Sequence, residues 1–144
     1  MSSGLRQRAL RALAQRDHSR SELARKLEGH GTDEEIASLL ADLERQGLLS
    51  DVRFAESFVA SRARRFGSAR LRFDLRRKGV DESLIEQTTR FDRESEMTRA
   101  REVWLRKFAQ VPGDPREYGR QARFLQNRGF SADIINRLLR GREE

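Results

Sequence analysis

Seven arginines and one lysine stand between Arg62 and Lys78 against a single acid, Asp74. The set is Arg62, Arg64, Arg65, Arg70, Arg72, Arg76, Arg77 and Lys78. A guanidinium is a planar fork that grips phosphate or carboxylate through paired N–H donors. So dense a run of like charge repels itself unless something neutralises it, which points to anion binding. Phe73 sits inside the run, two residues from both Leu71 and Leu75. On a helix it faces about 200° away from the stripe those leucines mark. Its helical neighbours are Ala69, Arg70, Arg76 and Arg77. A ring fenced by guanidiniums suits a stacking platform for nucleic-acid bases. Packing against an adjacent helical unit, with the arginines as a solvated rim, is the alternative, and for Phe73 alone it has the edge.

The other residues capable of chemistry form no constellation. His18 and His30 are the only histidines, and no acid or cysteine stands at ligand spacing to both, so each reads as a surface or cap residue. Asp33, Glu34 and Glu35 fall in the first turn of an expected helix, where carboxylates favour the helix dipole. Trp104 falls on an apolar stripe and reads as core, and Tyr118 is ambiguous. There is no cysteine, hence no disulfide framework and no thiolate site. No phosphate loop, zinc-protease motif or nucleophile triad is present. The expectation is a protein that binds rather than catalyses, with no cofactor and no metal.

The elements that must hold the cations are helical. Of 144 residues, 36% are hydrophobic and 37% charged, with a net charge of +7. That suits thin helices that each bury one stripe. Arginine outnumbers lysine 27 to three, a bias that a GC-rich genome also produces, though it does not produce clustering. The N-terminus MSSGLRQRAL does not read as a signal peptide. No segment approaches about 18 apolar residues, so no membrane span is expected and the cytoplasm is the simplest location.

Helices are expected over 5–16, from Ser19, from Thr32, over 51–65, from Ser68, from Asp81, over 93–108, from Asp114-Pro115 and from Ser131. Ser19-x-x-Glu22 and Thr32-x-x-Glu35 have capping-box spacing. Ala14 and Leu105 are placed on or near buried stripes, and Ser68 is expected to cap its helix.

The pattern recurs. Leu27 and Gly31, Leu75 and Gly79, and Leu125 and Gly129 share one spacing. A cap follows in each round (Thr32, Asp81, Ser131), then an isoleucine (Ile36, Ile85, Ile135). A period near 50 residues reads as tandem helical repeats. The expectation is an all-α chain of three three-helix repeats, 5–49, 50–91 and 92–144, forming an elongated, curved body. Their net charges are zero, +4 and +3.

These residues resemble a known family. Ala9-Leu10-x-x-Leu13-Ala14-x-Arg16-Asp17-His18-Ser19-Arg20-x-Glu22-Leu23-x-x-Lys26-Leu27 is similar to the opening motif of the RecX regulatory proteins. Leu43-x-x-x-Gly47-Leu48-Leu49-x-Asp51-x-Arg53-Phe54-Ala55 and Gly67-x-x-x-Leu71-x-x-x-Leu75-x-x-Lys78-Gly79-Val80 resemble its next two blocks. Three blocks in order cover about residues 8–80, while the third round resembles the family only in length and helical pattern. Ser50 departs from the acid expected before Asp51. The resemblance implies a cytoplasmic, non-enzymatic protein that binds the RecA filament and inhibits its ATP hydrolysis, strand exchange and coprotease activity. It thereby implies regulation of recombination, repair and the SOS response. The expected partners are RecA and single-stranded DNA, with duplex DNA a further candidate; a monomer is expected. Two other functions remain open: a stand-alone helical nucleic-acid module, and a protein-only adaptor for acidic partners.

Overall fold

Caps and apolar spacing partition the chain into helices. A computed structural model describes residues 2–140, and among them are nine helices and no strand. They are α1 (Ser2–Gln15), α2 (Arg20–Leu27), α3 (Asp33–Arg45), α4 (Asp51–Arg62), α5 (Ser68–Arg77), α6 (Glu82–Thr88), α7 (Arg93–Lys107), α8 (Pro115–Asn127) and α9 (Ala132–Leu139). None is long and apolar enough to cross a membrane. Both expected capping boxes form, at Ser19 with Glu22 and at Thr32 with Glu35. Asp92, Asp114 and Ser131 cap α7, α8 and α9. Three three-helix rounds follow in chain order, as the periodicity predicts.

Contacts group the chain into two units. The first runs to Phe58 and includes Leu75–Ile85; the second holds Val59–Asp74 and everything from Glu86. In the first, α1, α2 and α3 close over Leu5, Ala9, Leu23, Leu27, Leu40 and Leu43. In the second, α7, α8 and α9 close over Val103, Trp104, Leu125, Ile134, Ile135 and Leu138. Leu71 and Leu75 are both fully buried, as the spacing requires. Burying a leucine contributes roughly 1.5–3 kcal/mol.

Four expectations need correction. Ala14 and Leu105 are exposed, because each lies at the margin of its stripe while its neighbours fill the core. His18 is not a surface residue: it is buried at 1% exposure, directly before the α2 cap. α4 ends at Arg62, so Arg64 and Arg65 sit in a turn rather than on a helix. In the first round the left-handed glycine is Gly29, not the Gly31 that the shared spacing aligns with Gly79 and Gly129, so the helix stops two residues earlier relative to Leu27 than its counterparts do relative to Leu75 and Leu125.

Ala109 adopts φ 64°, just past the end of α7. A side chain there crowds its own carbonyl, at a cost of about 1 kcal/mol that glycine avoids. Ala109→Gly should therefore raise stability by roughly 0.5–1 kcal/mol in a urea melt, less the backbone entropy glycine adds to the unfolded chain.

Candidate anion-binding surface

The helix richest in arginine for its length, α5, is positioned by the chain that follows it. Its first N–H groups have no partner within the helix. Gly67 N–H donates to the Arg128 carbonyl at 2.6 Å, and Ala69 N–H donates to the Gly129 carbonyl at 3.2 Å. The Ser68 N–H and hydroxyl both donate to Glu96 Oε1, at 3.1 and 2.5 Å. Ser68 is therefore inside the helix, and the cap expected of it is supplied by α7 and the α8–α9 turn.

The turn before α5 is fastened from the same side. Arg99 donates to the carbonyls of Ala63 at 2.8 Å and Phe66 at 2.6 Å. It also pairs with Glu96 at 2.7 Å and stacks over the Phe91 ring at 4.1 Å. Arg106 donates to the Arg64 carbonyl at 2.5 Å. Buried carbonyls left unpaired cost about 1–3 kcal/mol each. Arg99, with its side chain only 12% exposed, is thus a structural cation. Sequence reading missed it because the carbonyls it holds lie more than 30 residues away.

The same docking recurs one round earlier. α5 and α8 end in Schellman turns: Val80 N–H reaches the Leu75 carbonyl and Phe130 N–H the Leu125 carbonyl, each at 3.2 Å. Each turn then abuts the second helix of the preceding round. The Ser19 hydroxyl donates to the Lys78 carbonyl at 2.6 Å, and Gly79 lies against Ser21. Gly129 lies against Arg70 in the same manner. The repeat is therefore both a sequence period and a repeated junction.

On this frame the predicted cations divide. Arg70, Phe73, Arg76 and Arg77 occupy the exposed face of α5, and Phe73 is 52% exposed. Arg70 pairs with Asp74 at 3.1 Å and Arg76 with Glu82 at 2.5 Å. Such exposed pairs contribute at most about 1 kcal/mol and exchange readily for another anion. Arg72 turns inward, its Nε donating to the buried Thr89 hydroxyl at 3.2 Å. Arg62 is half-buried and donates to the Ser61 hydroxyl at 3.2 Å. Arg64 and Arg65 are exposed, and neither has a carboxylate partner among the described residues. The cluster is thus less uncompensated than its sequence window suggests, because Glu22 and Glu82 reach in from outside it.

Lys78 is committed to Glu22, with Nζ at 3.0 Å from Oε2. Arg16 approaches the same carboxylate at 2.9 Å, and the Ser19 N–H donates to it at 3.1 Å. Burial pushes the Glu22 carboxyl up, but these three donors outweigh it and hold it at about 2. Stability from this site is complete above the ordinary value of 4.5 and is lost as pH falls towards about 2. His18 adds to the trend. Burial lowers its pKa from 6.5, although the Arg16 carbonyl opposes the shift, and its Nε2 has no partner. Protonating a buried imidazole there is unfavourable, so stability also declines as pH falls below 6.5. Acid unfolding should begin below neutrality and steepen below about pH 4.5. Glu22→Gln should flatten the steep limb and cost roughly 1–2 kcal/mol at pH 7, once solvent screening is allowed for. Urea melts across pH check both.

Comparison with known proteins covers all three rounds. Three family models match in succession: RecX first three-helix domain over residues 6–39, second over 50–88 and third over 94–139. The third round thus carries more of the family's pattern than its length and helices alone suggested. The regulatory protein RecX of Leptothrix cholodnii is 48% identical over 137 residues, 94% of this chain and 87% of that protein. RecX of Pseudomonas entomophila is 45% identical over 96% of this chain and 92% of its own length. A crystal structure of regulatory protein RecX superimposes with a TM-score of 0.82 at 25% identity, covering 97% of this chain and 73% of the other. RecX from Lactobacillus salivarius shares the fold at a TM-score of 0.82 and 20% identity, covering 97% of this chain and 95% of the other.

Proposed function

Because this chain belongs to the RecX family of regulatory proteins, we propose that it binds RecA on its DNA filament and inhibits RecA's ATP hydrolysis, strand exchange and coprotease activity. It acts by occupancy and performs no catalytic step of its own. The work is done in the cytoplasm, where it restrains recombination and the SOS response. The observation that carries this reading is the run of three successive RecX domains along nearly the whole chain. The placement of the cations supports it. Arg70, Arg76 and Arg77 lie on one exposed helix face with Phe73, on a frame fixed by its neighbours. In this reading that face meets phosphate or an acidic RecA surface, and Arg62, Arg64 and Arg65 flank it. Arg72 and Lys78 serve mainly to hold α5 in place. The three rounds 5–49, 50–91 and 92–144 are its repeats, and the chain works as a monomer.

Co-sedimentation with preformed RecA–single-strand filaments tests the proposal. Saturable pelleting that requires RecA supports it. Equal binding to the bare DNA without RecA, at the same affinity, points instead to a stand-alone nucleic-acid module.

A further inference from the structure

The second unit carries a cation–aromatic array that the α5 face does not account for. The guanidiniums of Arg65, Arg70 and Arg128 all lie over the half-buried Phe66 ring, at 5.7, 4.9 and 5.5 Å from its centroid. Arg128 also lies 5.0 Å from the Phe124 centroid, so one guanidinium bridges two rings. Lys107 also stands over Phe124, at 5.5 Å. Phe124 in turn meets Phe108 edge-on at 5.3 Å. Four elements contribute: the α4–α5 turn, α5, the end of α7 and the end of α8.

Charge is poorly compensated along this array. Arg70 has Asp74, but Arg65, Lys107 and Arg128 have no carboxylate partner among the described residues. Three guanidiniums around one ring lie within roughly one Debye length of each other, about 8–10 Å, where like charges still repel. The ring quadrupole offsets part of that repulsion. Arg70 donates to Asp74 and to the Asn127 carbonyl, and Arg128 donates at 3.5 Å to the Arg65 carbonyl. The remaining N–H groups, with those of Arg65 and Lys107, are donors that two oxygens of one phosphate can accept.

We propose that Arg65, Arg70, Lys107 and Arg128, set around Phe66 and Phe124, form a track for the phosphodiester backbone of a single nucleic-acid strand. A single strand suits the site because its flexible backbone can follow cations spread over four elements, whereas a duplex presents a rigid one. The inference deepens the function proposed above by naming the anion and by assigning third-round residues to its path. It does not need RecA to be tested.

The test is a salt titration of fluorescent oligo-dT binding in the absence of RecA. Each phosphate contact on a single strand contributes about 0.7 to the log–log slope. The double variant Arg65→Gln with Lys107→Gln should lower the slope by about 1.4 and leave the melting temperature unchanged, since both side chains are exposed. The charge-keeping pair Arg65→Lys with Lys107→Arg should retain the parental slope. An unchanged slope in the glutamine variant overturns the proposal, as does equal weakening by the charge-keeping pair. A glutamine variant that loses slope while RecA inhibition by the parent chain is absent leaves the track standing and removes the RecA reading. Inhibition by the parent with no slope change does the reverse.

Discussion

Gly129→Ala should destabilise the protein by roughly 3–5 kcal/mol, one of the largest single-residue effects available in this fold. Two costs combine. Gly129 has φ 95°, a conformation that a side chain strains. A Cβ there would also stand 2.4 Å from Arg70 Cβ and 2.5 Å from the Arg70 backbone nitrogen. Backbone cannot swing aside as a flexible side chain can, so the turn must lift away from α5. The carbonyls of Arg128 and Gly129 would then leave the N–H groups of Gly67 and Ala69 unpaired. Gly67→Ala separates the two costs. Gly67 is outside the left-handed region, yet its Cβ would stand 2.4 Å from the Gly129 carbonyl oxygen. It should show the close-approach cost alone. Urea melts of both variants check this, and a loss under about 1 kcal/mol in each would mean that the junction is loose.

Replacing Arg70, Arg76 and Arg77 together by alanine should weaken RecA inhibition at least tenfold while helical content is retained. All three sit on the exposed face of α5, and the ion pairs of Arg70 and Arg76 are solvent-facing, with arginine side chains 42% and 52% exposed. Removing them costs little stability. Three lost phosphate contacts would lower a single-strand salt slope by about 2. Arg72 is left in place because its bond to Thr89 belongs to the packing. Circular dichroism and a titration of RecA inhibition read the two halves of the expectation. Undiminished inhibition, or a variant that unfolds, would contradict the assignment of this face.

Helix existence and the threefold period were legible because they are local. Capping boxes, leucines four apart and a glycine after each second helix are all short-range signals. Burial of Leu71 and Leu75 followed from the same geometry, and so did the turn of Phe73 away from their stripe. The packing favoured for Phe73 is corrected: its ring is 52% exposed, because one residue's angle on a helix does not say what lies opposite it. The fate of individual cations was not legible. Glu22 reaches Lys78 and Glu82 reaches Arg76 from outside the basic window, and nothing in the window announces them. Arg99, Arg106 and Arg128 read as ordinary charges on the sequence of the third round. Only the tertiary fold shows that they donate to carbonyls or stack over rings near α5. His18 misled for a related reason. A histidine beside a cap looks solvated until the neighbouring round's Lys78–Gly79 turn covers that cap. Of the ion pairs in the basic helix, Arg70 with Asp74 was open to prediction, since residues four apart on a helix are neighbours.

The most direct measurement is single-strand-dependent ATP hydrolysis by RecA, titrated with this protein at fixed RecA and DNA. A saturable fall in ATPase rate is expected, lost in the Arg70, Arg76 and Arg77 alanine variant. An ATPase rate that stays constant at saturating protein would contradict it.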